Sequence, residues 1–141
     1  METFVADGIY IDSPPERVFA SLHSAEDMLV WLDAERVEVD ARAGGSFSAR
    51  CWDGSTVRGT FKSLEDPASL QIENWHHVTA DGVERGPMRV SFTLSPRFGG
   101  VWIMVRQDDL DQGPDWKKYA MGMEKVWRQA TVALKRHIDQ I

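Results

Sequence analysis

His76-His77 is the only pair of adjacent imidazoles in the chain, and it lies in a run whose polarity alternates. Neighbours on a strand point to opposite faces, so the two rings cannot ligate one metal ion without distortion. No Asp, Glu or Cys stands at a ligand spacing from either, and no metal site is expected. Period-two alternation puts Leu70, Ile72, Asn74 and His76 on one face, with Gln71, Glu73, Trp75 and His77 on the other. On that reading Asn74 and His76 turn inward and could hydrogen-bond the carbonyl or hydroxyl of a ligand. The plainer alternative for His76 is a satisfied histidine near a strand end.

Other reactive side chains give less. Acid–base catalysis needs a carboxylate in a dry pocket. Glu35, Glu38 and Asp40 sit on a strand edge and Asp108, Asp109 and Asp111 in a loop, all expected in solvent. Cys51 shares a face with Phe47 and Ala49 and has no visible base partner, so it reads as a small buried apolar residue. No nucleophile elbow, phosphate loop or dinucleotide fingerprint occurs, and Gly44-Gly45 and Gly99-Gly100 serve turns. No catalytic residue and no cofactor is expected. What remains is a Met and aromatic set: Phe47, Phe61, Met88, Phe92, Met123 and Trp127. Such side chains suit an adaptable apolar pocket, or fill an ordinary core. With Cys51, Asn74 and His76 they form the expected ligand-binding residues.

The elements that would position these residues are legible along the chain. Residues 4–11 favour a strand. Ser13-Pro14-Pro15-Glu16 predicts a capped helix start, with Ser13 accepting from the Glu16 N–H and Pro14 in the first helical position. Val18, Phe19 and Leu22 give its buried stripe. Ser24 with Asp27 predicts a second short helix carrying Met28, Leu29, Trp31 and Leu32. From Arg36 the period changes to two, and strands follow to Gln107, divided by Gly44-Gly45, Asp53-Gly54, Asp66-Pro67, a longer turn at Asp81-Gly82 and Gly86-Pro87, and Pro96 with Gly99-Gly100. Met88, Val90, Phe92 and Leu94 alternate cleanly. Residues 115–141 form one amphipathic helix, with Trp116, Ala120, Met123, Trp127, Ala130, Leu134 and Ile138 at steps of three and four. About 25 residues at about 1.5 Å each give roughly 38 Å, enough to cross a sheet.

Composition bounds the function. The 141 residues fit one domain, and 43% hydrophobic content supports a core. A net charge of −6 argues against nucleic acid and anionic membrane as partners. A lone cysteine suits a reducing compartment, the N-terminus lacks signal-peptide character, and no apolar run approaches a membrane span, so a cytoplasmic protein is expected.

The order of elements resembles the helix-grip fold of the START-like (SRPBCC) superfamily, an α+β class. In it a curved antiparallel sheet of about seven strands wraps a long C-terminal helix, with two short helices after the first strand. The detail is similar to the branch named for the activator of the heat-shock protein 90 ATPase. The resemblance rests on Ser13-Pro14-Pro15-Glu16-Arg17-Val18-Phe19, Trp31, Gly44-Gly45-Ser46-Phe47, Gly59-Thr60-Phe61 and Leu70-Gln71-Ile72-Glu73-Asn74-Trp75. It departs where Gly122 precedes Met123, with Trp127 one turn later. The resemblance implies a fold and a pocket, not a catalytic set. Three functions follow. The first is a module binding a small apolar or amphipathic molecule, such as a lipid. The second is an interaction protein in a stress response, with a chaperone or a second copy as partner. The third is a cofactor-free cyclase or hydrolase. An enclosed cavity with few polar groups favours the first, and a filled core with an exposed aromatic patch the second. A pocket histidine or carboxylate with a strongly shifted pKa favours the third.

Overall fold

The computed structural model describes residues 4–140. Residues 1–3, in the expected N-terminal segment, and Ile141, the expected last helical residue, lie outside the described residues. The order is β1 (Val5–Ile11), α1 (Pro15–His23), α2 (Ala25–Trp31), β2 (Ala34–Val39), β3 (Ser46–Cys51), β4 (Thr56–Glu65), β5 (Ser69–Val78), β6 (Glu84–Arg97), β7 (Gly100–Asp108) and α3 (Pro114–Asp139). The seven strands form one antiparallel sheet in the order β1-β7-β6-β5-β4-β3-β2. It curls into a half-barrel around α3, an α+β helix-grip fold, as the sequence leads one to expect.

The start of α1 differs from expectation. Pro14 is the N-cap with no side-chain hydrogen bond, and Pro15 is the first helical residue. A residue before proline is pushed out of the helical region, so Pro14 is held extended by Pro15 and the helix begins one position later. Ser13 is buried and gives its N–H to the Ile11 carbonyl instead of capping. Ser24 does cap α2, accepting from the Asp27 N–H at 3.5 Å.

The 26 residues of α3 bury Tyr119, Met123, Trp127, Ala130, Thr131, Leu134 and Ile138; Tyr119 and Thr131 are additions to the expected stripe, while its Trp116 and Ala120 are only partly buried. Polar contacts from three side chains help fix where the helix lies. Asp7 on β1 accepts from Thr131 Oγ1 and pairs with Arg128, each at 2.8 Å. Asp27 on α2 meets His137 Nε2 at 2.6 Å. Gln107 on β7 accepts from Trp127 Nε1 at 2.8 Å. All three anchors lie on β1, β7 and α2. Space is left on the opposite side, toward β3, β4 and β5.

Strand β5 carries the deviation that matters most for that space. Ile72 pairs with Val90 and Trp75 with Met88, so three steps on β5 oppose two on β6. The extra residue is a bulge, and Asn74 within it takes φ 53°. Asparagine tolerates this left-handed conformation better than most residues. A second irregularity compensates: Trp75 to His77 is two steps, while Met88 to Arg85 is three. It contains Gly86-Pro87, so β6 runs through what the sequence suggested was a turn. Gly86 has φ 144°, and a Cβ there would sit 2.6 Å from the Trp75 carbonyl oxygen. The expected inward set therefore holds for Leu70 and Ile72 and reverses after them. Trp75 and His77 are buried, Asn74 is exposed, and His76 is on the outer face.

Leu134 is 2% exposed in the stripe that closes the half-barrel. Truncation of a buried leucine leaves a cavity costing about 2–5 kcal/mol. Urea unfolding of Leu134→Ala should show a loss in that range, and an unchanged midpoint would contradict the packing of α3.

Candidate functional site

A cavity of about 440 Å³ lies between the end of α2, the β3–β4 hairpin, β5 and the middle of α3. Its apolar wall comes from Val30, Trp31, Val57, Trp75, Met123, Trp127, Ala130 and Ala133. The aromatics hold one another in place. Trp75 stacks on Phe47 at 5.5 Å and 21° and meets Trp127 at 6.2 Å. Phe92 stands edge-on to both Trp127 and Trp31. Trp31 donates its indole N–H to the Ser21 carbonyl at 3.0 Å, fixing α2 against α1. Edge-to-face and offset arrangements are the ones the ring quadrupoles favour.

The polar part of the wall comes from His77, Asp53, Ser55, Asp33 and Gln129, with Cys51 beside them. The Asp53 carboxylate accepts from the Ser55 N–H at 2.8 Å and the Ser55 hydroxyl at 2.6 Å. This closes the hairpin turn, where Gly54 takes φ 90°. Burial pulls the Asp53 pKa up, but the Ser55 hydrogen bonds and the nearby imidazole outweigh it and hold the group below its ordinary value. Burial pushes the Cys51 thiol up, so it is not an activated nucleophile.

Behind His77 runs a buried polar chain. The Tyr119 hydroxyl lies 2.7 Å from His77 Nδ1. Gln107 Nε2 donates to that hydroxyl at 3.2 Å and to Met88 Sδ at 3.2 Å. Gln107 Oε1 accepts from Trp127. Burial lowers the His77 pKa. Asp53 partly offsets this, and Arg85 adds to it. The Arg85 guanidinium sits 4.7 Å from the centre of the Tyr119 ring. Burial pushes the Tyr119 pKa up to about 12, although Gln107 and Arg85 oppose it. Both groups are therefore neutral near pH 7.

Of the residues singled out from sequence, Cys51, Met123 and Trp127 lie on the cavity wall. Phe47, Phe61, Met88 and Phe92 are buried behind it. Asn74 and His76 stand away from it because of the β5 bulge. Trp75, His77, Tyr119, Gln107, Asp53 and Ser55 were not anticipated. For Gln107 a signal existed: it continues the inward phase Val101, Ile103, Val105, where a polar residue has to find a buried partner. Tyr119 likewise stands four residues before Met123 on the helix stripe. Among the described residues no group of three or more His, Cys, Asp or Glu could hold a metal ion, and no helix is long and apolar enough to cross a membrane.

The model of the family of Activator of Hsp90 ATPase homolog 1-like proteins matches residues 12–139. The chain belongs to that family. Solved structures of related shape support the assignment at the level of the fold. Protein MLL2253 from Mesorhizobium loti is 21% identical with a TM-score of 0.83, over 98% of each chain. The Aha1 dimer from Colwellia psychrerythraea is 12% identical with a TM-score of 0.74, covering 94% of this chain and 93% of that one. DynU16, a protein of the dynemicin biosynthetic locus, is 15% identical with a TM-score of 0.79, over 96% of this chain and 47% of its own. No curated protein matches the sequence. The helix-grip domain of this Activator of Hsp90 ATPase homolog 1-like chain is of a kind consistent with ligand binding.

The buried His77 makes stability depend on pH in a defined direction. Unfolded, it titrates near its ordinary value of 6.5; folded, it titrates lower. Below pH 6.5 the unfolded chain takes up a proton that the folded chain refuses. Stability is then lost as pH falls, levelling off below the folded pKa. The melting temperature should drop between about pH 7 and pH 5, and His77→Phe should flatten part of that slope. An identical slope in both proteins would contradict the burial of a neutral imidazole.

Proposed function

We propose that the chain is a binding module for a small apolar or amphipathic molecule held in the cavity between the sheet and α3. The observation that carries this reading is the cavity itself: about 440 Å³ with a largely apolar wall and a few convergent polar groups. That size and character fit the range of small-molecule sites, roughly 300–1,000 Å³. Cys51, Met123 and Trp127 are the wall residues shared with the expected set, and Phe47, Phe61, Met88 and Phe92 act from behind. Asn74 and His76 have no part in the binding now proposed. Catalysis of a cyclase or hydrolase type draws less support, because His77 and Asp53 are engaged in hydrogen bonds and the thiol is held protonated.

The family name and the dimeric Colwellia protein support a second role, in which a chaperone or a second copy of this chain is a protein partner. The exposed Phe98 at the β6–β7 turn, 98% accessible, is the side chain most available for such contact.

Because Cys51 is the only cysteine, its reaction with a disulfide reagent reports on the cavity alone. The neutral dye N-phenyl-1-naphthylamine should gain fluorescence on binding and slow that reaction. Ala133→Leu, which adds bulk to the wall, should weaken the dye by at least about tenfold, roughly 1.4 kcal/mol. A dye that does not bind, or binds without protecting Cys51, would place the ligand elsewhere.

A further inference from the structure

The hydrogen-bond chain behind the cavity fixes where protons lie. An indole N–H only donates, so Gln107 must turn its oxygen to Trp127 and its nitrogen to Tyr119. The Tyr119 hydroxyl then accepts from Gln107 and has one proton left to give. The acceptor in reach is His77 Nδ1, at 2.7 Å. Were Nδ1 protonated, it would donate to Tyr119 and leave the phenol proton buried without an acceptor, at a cost of about 1–3 kcal/mol. Nδ1 is therefore bare, and the single proton of the neutral imidazole sits on Nε2. His77 is 8% exposed and lines the cavity, and Nδ1 is the ring nitrogen already engaged. Trp75, in the same wall, carries a buried indole N–H with no partner.

We propose that His77 presents Nε2–H to the cavity as a fixed, uncharged donor, and that the ligand carries a carbonyl-type oxygen on an otherwise apolar body. The proposal rests on the cavity reading above and adds to it the chemistry of the ligand. A carboxylate fits less well. Asp53 stands on the same wall, and Arg85, which lies over Tyr119, is not part of the wall. A purely apolar ligand would leave the donor buried and unpaired. Both nitrogens of His77 are thus committed. Nδ1 is held by the chain that runs through Tyr119 and Gln107 to α3, and Nε2 is turned to the ligand.

Three probes with one ring skeleton test this: tetralin, 1-tetralone and 1,2,3,4-tetrahydro-1-naphthoate, titrated into wild type and His77→Phe. His77→Phe should weaken 1-tetralone about tenfold while changing tetralin less than about twofold. The carboxylate should bind wild type less tightly than the ketone. Equal losses for ketone and hydrocarbon, no loss for the ketone, or tighter binding of the carboxylate would overturn the proposal. If no probe binds wild type, the cavity reading itself falls, and this one with it. If His77→Phe does not fold, nitrogen NMR of histidine-labelled wild type decides. A bare Nδ1 and a protonated Nε2 that shifts with 1-tetralone but not with tetralin is the expected result. A protonated Nδ1, or an Nε2 signal that neither probe moves, overturns it.

Discussion

The buried amide of Gln107 is the interaction on which the rest of the site depends. It has no exposed surface and sits on β7, at the floor of the half-barrel. Its oxygen holds Trp127 and its nitrogen holds Tyr119, two residues eight positions apart on α3. One side chain thereby constrains the depth and rotation of the helix over the sheet, alongside the Asp7 and Asp27 contacts. Apolar packing alone would tolerate small slides of α3, because hydrophobic burial is not directional. Burying an amide is costly unless its partners are in place, so it selects one position among many of similar apolar area.

The same amide reaches the cavity wall. By accepting the Trp127 N–H hydrogen bond on its oxygen, it leaves Tyr119 no option but to donate onward to His77. The polarity of the wall is thus decided at Gln107, which is not itself part of the wall. The β5 bulge is the other half of this arrangement. Without the extra residue at Asn74, His77 would turn outward and Tyr119 would lose its acceptor. Two irregular strands, one carrying Asn74 and the other Gly86-Pro87, bring a histidine to face a helix.

This explains which parts of the molecule could be read from sequence. Hydrophobic periodicity and turn residues place the seven strands and the long helix, because burial on one face imposes a period. The stripe from Met123 to Ile138 and the alternation from Met88 to Leu94 are clear for that reason. A bulge breaks the period by one residue and shifts every later side chain to the other face. Leu70 and Ile72 were therefore legible as inward, while Trp75 and His77 were not, although an asparagine amid strand residues is a natural place for such a break. Ser13 misled through a different rule. Its capping signature was outweighed by the constraint that Pro15 places on Pro14. The polar wall and the hydrogen-bond chain behind it come from four separate segments, and no local spacing links Asp53, His77, Gln107 and Tyr119.

The most direct test of this account is the unfolding free energy of Gln107→Leu, a change that keeps bulk and removes the amide. The account predicts a loss of at least about 2 kcal/mol, since the Trp127 N–H is left buried and Tyr119 loses its donor. It also predicts that part of the loss is recovered when Trp127→Phe is added, because the unpaired indole N–H is then gone. A Gln107→Leu protein as stable as wild type would show that the Gln107 amide does not position α3, and would contradict the account.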